Sequence, residues 1–110
     1  MFQEIDKRFN LIAKEFEQNK SSTFLVEKAY AVAKFLHKDQ RRKDGKFYIS
    51  HPVEVALILA KLGFDENVVS AALLHDVVED CEYSLSTITQ EFNAVVAELV
   101  DCVSAIDKYH

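Results

Sequence analysis

The ten residues Ala71-Ala72-Leu73-Leu74-His75-Asp76-Val77-Val78-Glu79-Asp80 hold four side chains able to bind a metal or move a proton, within six positions of an otherwise apolar run. On a helix at about 100° per residue, His75, Asp76, Glu79 and Asp80 share an arc of roughly 140°, and Leu73, Leu74, Val77 and Val78 take the other side. Carboxylates beside a buried face are costly unless paired, ligated or hydrated. A catalytic divalent cation takes N and O ligands from more than one element and keeps positions open for water or substrate. His75 and Asp76 are adjacent candidates, and His51, at the mouth of another helix, is the third. The spacing permits such a site without proving it, since a lone histidine is more often a surface or satisfied core residue. Glu79 and Asp80, one turn further on, suit general acid/base work on a water or leaving group. The alternative for them is a solvated helix end, although acids there oppose the helix dipole at about 0.3–1 kcal/mol each.

The elements that must carry these groups read as helices. Two glycines and one proline in 110 residues leave few breaks, and 49% hydrophobic residues supply one small core, so a single all-α domain over residues 1–110 is expected. Apolar spacing predicts a helix over residues 2–17, then a polar break with a Ser or Thr N-cap. A second helix follows over 24–37, with Leu25, Ala29, Val32, Ala33 and Leu36 as its seam. Pro52 marks the entry to a central helix ending at Leu62, with Gly63 as its left-handed stop. Asp65 caps a helix predicted to run unbroken to Asp80. Ser84 or Ser86 caps a shorter helix reaching Phe92, and Asn93 is a plausible left-handed stop. A last helix spans 94–108 and buries Val95, Val96, Leu99, Val100, Val103 and Ile106.

Between the second and third of these helices, Lys38 to Lys46 contains five basic and two acidic residues around Gly45. Such a run is usually a solvated loop, but its place just before His51 makes a phosphate contact a competing reading. The net charge of -5 argues against a general nucleic-acid binder and leaves room for a local anion site. Cys81 and Cys102 do not make a disulfide framework and are expected as thiols. No secretory leader or membrane-length apolar stretch is present, so the chain is expected to be cytoplasmic.

His51-Pro52, followed after twenty-odd residues by Leu74-His75-Asp76-Val77-Val78-Glu79-Asp80, resembles the HD-type hydrolase domain of the RelA/SpoT family. His37, Gln40, Arg42-Lys43, Gly45, Tyr48-Ile49 and Val96-Ala97-Glu98-Leu99-Val100 extend the likeness over residues 25–106. The resemblance implies an HD-like bundle of about six helices. It also implies Mn2+-dependent removal of the 3′-pyrophosphate from guanosine tetra- or pentaphosphate, or action on a related nucleotide, in the stringent response. His51, His75 and Asp76 match metal ligands, and Glu79 and Asp80 match the catalytic acidic pair. Arg42 and Lys43 match residues beside the nucleotide, Arg42 stacking on the base and Lys43 neutralising phosphate.

Departures are Asp39 and Cys102 where the family usually has glycine, and Phe47 where it has proline. The family's domain also continues through further helices, one bearing another aspartate ligand. Asp101 and Asp107 do not match that position, so the domain is expected to be C-terminally incomplete, with low or no turnover by these residues alone. The competing reading is an inactive nucleotide-binding or regulatory HD fragment. Either form is expected to self-associate to cover apolar surface.

Overall fold

The computed structural model describes residues 2–107, with side chains at all of them except 79, 80 and 104–107. Among the described residues the secondary structure is helical apart from an isolated bridge between Arg41 and Phe47. The helices are α1 (Gln3–Gln18), α2 (Phe24–Leu36), α3 (Ser50–Lys61), α4 (Glu66–Leu74), α5 (Val77–Asp80), α6 (Leu85–Glu91) and α7 (Ala94–Asp107). The architecture is all-α, as expected. No described helix is long and apolar enough to cross a membrane, and Cys81 and Cys102 form no disulfide.

The core forms around α4, which packs against α2, α3 and α7, while α1 lies on α3 and α6 on α7. Every residue from Val69 to Leu74 is buried, so α4, rather than the helix ending at Leu62, is the centre of the bundle. Small residues make that possible, because Ser70, Ala71 and Ala72 let neighbouring helices approach from several sides. α1 contributes Phe9, Ile12 and Phe16 at helical spacing. On α2 the buried set is Val26, Ala29, Tyr30 and Ala33. The expected seam is therefore rotated, with Leu25, Val32 and Leu36 at its half-buried margin.

Local signals explain several helix ends. Gly63, at φ 88°, follows the last residue of α3's cap. Its N–H bonds the Ala60 carbonyl and that of Phe64 bonds Leu59, the paired reverse bonds that close a helix over a left-handed residue. The Asp65 side chain accepts from the Val68 N–H at 3.1 Å. Ser84 likewise accepts from Thr87 N–H at 3.0 Å. Before α2, the hydroxyl of Ser22 accepts from Phe24 N–H at 3.2 Å.

Three further expectations are corrected. Asn93 is no left-handed stop; its side-chain oxygen accepts from the Val96 N–H at 2.8 Å, so it starts α7 instead of ending α6. Among the described side chains of α7, Val96, Ala97 and Val100 turn fully inward, because α4 and α6 cover one side of it, while Leu99 is partly buried, Val95 half exposed and Val103 partly so. The Ile106 side chain and Lys108, also assigned to this helix from the sequence, lie outside the described residues. The third correction is that residues 65–80 are not one helix: α4 ends at Leu74 and α5 begins at Val77, so the described residues hold seven helical segments, in keeping with the expected bundle of about six.

Candidate metal centre and its basic loop

The break between α4 and α5 falls on His75 and Asp76. The His75 Nδ1 lies 2.7 Å from the Ala72 carbonyl oxygen. That oxygen is the acceptor a continuing helix would offer to the Asp76 N–H, so the imidazole takes over the bond that would carry the helix forward. A carbonyl can only accept, which makes Nδ1 a protonated nitrogen and leaves Nε2 as the ring nitrogen that meets Asp76.

His75 Nε2 faces Asp76 Oδ2 at 3.1 Å, with both side chains largely buried. A ring nitrogen and a carboxylate oxygen at this distance share a proton or a cation. Two ligands each about 2.1 Å from one ion at near right angles would stand about 3 Å apart, so the pair fits a divalent metal. The Nδ1–H to backbone carbonyl bond is also the kind of support that fixes tautomer and orientation in metal-ligating histidines. Burial pushes the Asp76 carboxyl up, but hydrogen bonds from His75 and from the Tyr48 phenol outweigh it and hold the group below the ordinary aspartate range. It is a retained negative charge in a partly desolvated position.

His51 comes from the first turn of α3, exposed, its ring centroid 6.3 Å from that of His75. The structure thus pairs His75 with Asp76 and sets the His51 ring near that of His75. Among the described residues no three His, Cys, Asp or Glu side chains already enclose an ion-sized space; His75 and Asp76 form one half and His51 stands off from it. Glu79 and Asp80 lie on α5, the turn that follows, and their side chains fall outside the described residues.

Arg42 and Lys43 are both exposed on the loop between α2 and α3. The loop is closed at its base by Tyr48 N–H to the Gln40 carbonyl, at 2.9 Å, and inside it by Arg42 N–H to the Lys46 carbonyl, at 2.8 Å. Gly45, at φ 86°, makes the reversal between them. The Arg41 guanidinium lies 3.8 Å from the Phe47 ring centroid and donates to the Gly45 carbonyl. A cleft of about 570 Å³ opens between α1, α3 and this loop, with Arg8, Arg41, Arg42, Lys46 and His51 on its walls. Lys43 is not on those walls. A second cavity, about 260 Å³, lies among α3, α4 and α7; it is apolar except for His51 and His75.

Two features of the site carry little sequence signal. Arg8 on α1 makes a bidentate pair with Glu54 on α3, at 2.8 and 2.9 Å. The Arg8 bonds are the main reason the Glu54 carboxyl lies below its ordinary value, against a smaller upward push from burial. The partners are 46 positions apart and neither stands in a motif. Tyr48 donates its phenol to Asp76 Oδ2 at 2.7 Å; the sequence marks it only by its place three residues before His51 and within the stretch that carries the family likeness, and neither discloses its partner.

Residues 29–110 match the HD domain family. Over 77 residues the chain is 51% identical to a guanosine-3′,5′-bis(diphosphate) 3′-pyrophosphohydrolase of Haemophilus influenzae, covering 70% of this chain and 11% of that protein. It is 49% identical over 83 residues to a GTP pyrophosphokinase of Streptomyces coelicolor, covering 76% and 10%. It is 47% identical over 83 residues to the bifunctional (p)ppGpp synthase/hydrolase SpoT of Escherichia coli K12, covering 76% and 12%. The chain belongs to the HD domain family, in its RelA/SpoT branch. It spans about a tenth of the length of these relatives, and the whole of α1 precedes the segment that matches the HD domain.

Proposed function

We propose that the chain is a divalent-metal pyrophosphohydrolase domain, residues 1–110 forming one HD-type unit, that removes the 3′-pyrophosphate from guanosine tetra- or pentaphosphate to give GDP or GTP. The names of its relatives support this substrate class. The observation that carries the reading is the facing of His75 Nε2 and Asp76 Oδ2 at 3.1 Å, with His75 Nδ1 already committed to a carbonyl. His51, His75 and Asp76 would hold the ion, for which we propose Mn2+. When bound, such an ion polarises a phosphoryl oxygen and makes a water more acidic.

The rest of the work falls to the chain. Asp76 brings a full negative charge, and the Ala72 carbonyl fixes the tautomer with which His75 meets the site. In the reaction a water oxygen bonds to phosphorus, the bond from phosphorus to the 3′ oxygen breaks, and that oxygen takes up a proton. Glu79 and Asp80, on the turn beyond the ligands, suit taking the water's proton and returning one to the leaving oxygen. Arg42 suits stacking on the guanine and Lys43 suits meeting phosphate. Arg41 and Lys46 make the adjoining cleft attractive to a polyanion despite the acidic chain as a whole. The setting is cytoplasmic, where guanosine nucleotides are held, and the role is in the stringent response.

A second reading is favoured by Ile58, Leu62 and Val95, all at least half exposed: an HD unit that binds nucleotide without cleaving it and self-associates to cover exposed apolar side chains. Incubating the chain with Mn2+ and guanosine tetraphosphate tests both. The first reading expects slow pyrophosphate release that stops with EDTA or with His75→Ala. Calorimetric binding without release, by a chain that light scattering finds oligomeric, selects the second; neither binding nor release refutes both.

A further inference from the structure

We propose that Tyr48 is the positioning residue that joins the two halves of the metal centre, holding Asp76 through its phenol and His51 through its backbone. This role rests on the metal-binding reading of His51, His75 and Asp76 given above.

The argument starts from what Asp76 lacks. It follows α4's last hydrogen-bonded turn and precedes α5, and its own side chain caps neither helix. The ladder that fixes residues inside α4 therefore does not fix this carboxylate, and its orientation depends on side-chain partners. Tyr48 supplies one from a different element: its phenol donates to Oδ2 at 2.7 Å, the usual length for an O–H···O bond. A carboxylate has about four lone-pair positions on its two oxygens. One phenol bond therefore orients the group and leaves acceptor capacity for an ion.

The same residue also holds the other half. The Tyr48 carbonyl accepts from the His51 N–H at 3.1 Å, at the start of α3. The Tyr48 N–H donates to the Gln40 carbonyl at 2.9 Å, closing the base of the loop that carries Arg42 and Lys43. Tyr48 thus touches the acidic ligand, the backbone of the α3 histidine and the anchor of the basic loop. Its own ring is confined. It packs at 4.9 Å between centroids against His37, which is completely buried and bonded through Nδ1 to the Gln40 side chain at 3.0 Å. The next residue, Ile49, is completely buried. With ring and backbone both held, the phenol oxygen has a defined place, which a positioning group requires.

Tyr48→Phe removes the phenol oxygen and keeps the ring, the backbone bonds and the packing. The expected result is a loss of Mn2+ affinity of about tenfold or more, the usual size for a lost support of a metal ligand. It is read by electron paramagnetic resonance of free Mn2+ and by the visible bands of bound Co2+, with no substrate present. The metal-free protein should keep its helical circular dichroism, and the rise in melting temperature on adding metal should shrink. Affinity within about twofold of wild type and an unaltered Co2+ spectrum would overturn the role.

His75→Ala separates this result from the reading beneath it. If wild type binds no metal, or binds it as well without His75, the metal centre falls and Tyr48's role with it. If binding needs His75 but is indifferent to Tyr48→Phe, the Tyr48 role alone falls. Should the variant not fold, wild type labelled at tyrosine Cζ carries the test. Diamagnetic Zn2+ should shift the Tyr48 resonance and leave that of Tyr30, bonded to Asp6 on α1, in place; a Tyr48 resonance that ignores the metal overturns the role.

Discussion

Removing one oxygen from Tyr30 should loosen the attachment of α1 in a way that depends on pH. The Tyr30 ring is buried and stacks on Phe9 of α1 at 4.3 Å, and its hydroxyl donates to the Asp6 carboxylate. Lys34 reaches the same carboxylate oxygen at 3.1 Å. Tyr30→Phe keeps the stack and the ion pair and deletes only the hydroxyl. A hydrogen bond to a charged group contributes about 1.5–3 kcal/mol, and the half-exposed Asp6 recovers part of this from water, so the expected loss is about 1 kcal/mol. For a chain of this size that is a fall in Tm of about 5 °C.

The sign with pH follows from Asp6. Burial pushes its carboxyl up, but the bonds from Tyr30 and Lys34 prevail and place it below the ordinary 3.8. A depressed carboxyl contributes stability that is fully present above the unfolded value and is lost as pH falls through the folded one. In Tyr30→Phe the group returns toward the ordinary value. The two melting curves should therefore differ most near neutral pH and converge below about 3.8. Circular dichroism melts across that range are the assay. A difference of equal size at every pH, or none near neutrality, would refute the assignment of the bond to an ionised Asp6.

The remaining predictions concern α4 and the loop. Asp65→Ala leaves the Val68 N–H without its cap and should cost about 1 kcal/mol, measured by urea unfolding with an unchanged m-value. Leu73→Ala, at a completely buried position, should cost about 2–5 kcal/mol by the same assay; a loss under 1 kcal/mol would mean that α4 is not the centre of the core. Arg42→Ala should leave Tm within about 1 °C and weaken guanosine tetraphosphate binding by calorimetry, because its side chain is exposed on the cleft and holds no other element.

Much of the scaffold could be read from single residues because the deciding physics is local. Gly63 and Asp65 each require or favour one backbone state, and both act as expected at the turn joining α3 to α4. The interruption at His75 was hidden because Leu73, Leu74, Val77 and Val78 keep a helical rhythm across it. The break comes from a side chain bonding the Ala72 carbonyl, and apolar periodicity does not register such competition. Asn93 was ambiguous for a related reason, since the same side chain suits either a left-handed stop or an N-cap. At the site, residue type and spacing nominated His51, His75 and Asp76, of which the structure pairs His75 with Asp76 and sets the His51 ring 6.3 Å from that of His75. Tyr48 and the Arg8–Glu54 pair were out of reach because their roles depend on which helices meet, and that is settled by packing over many positions.

His51 forms part of the wall of both cavities, the charged cleft beside α1 and the apolar pocket beside α7. The larger carries arginine and lysine on its walls and the smaller carries neither, so this imidazole borders two spaces of different charge. A compact hydrophobic compound in the smaller space would reach it without competing for any arginine or lysine.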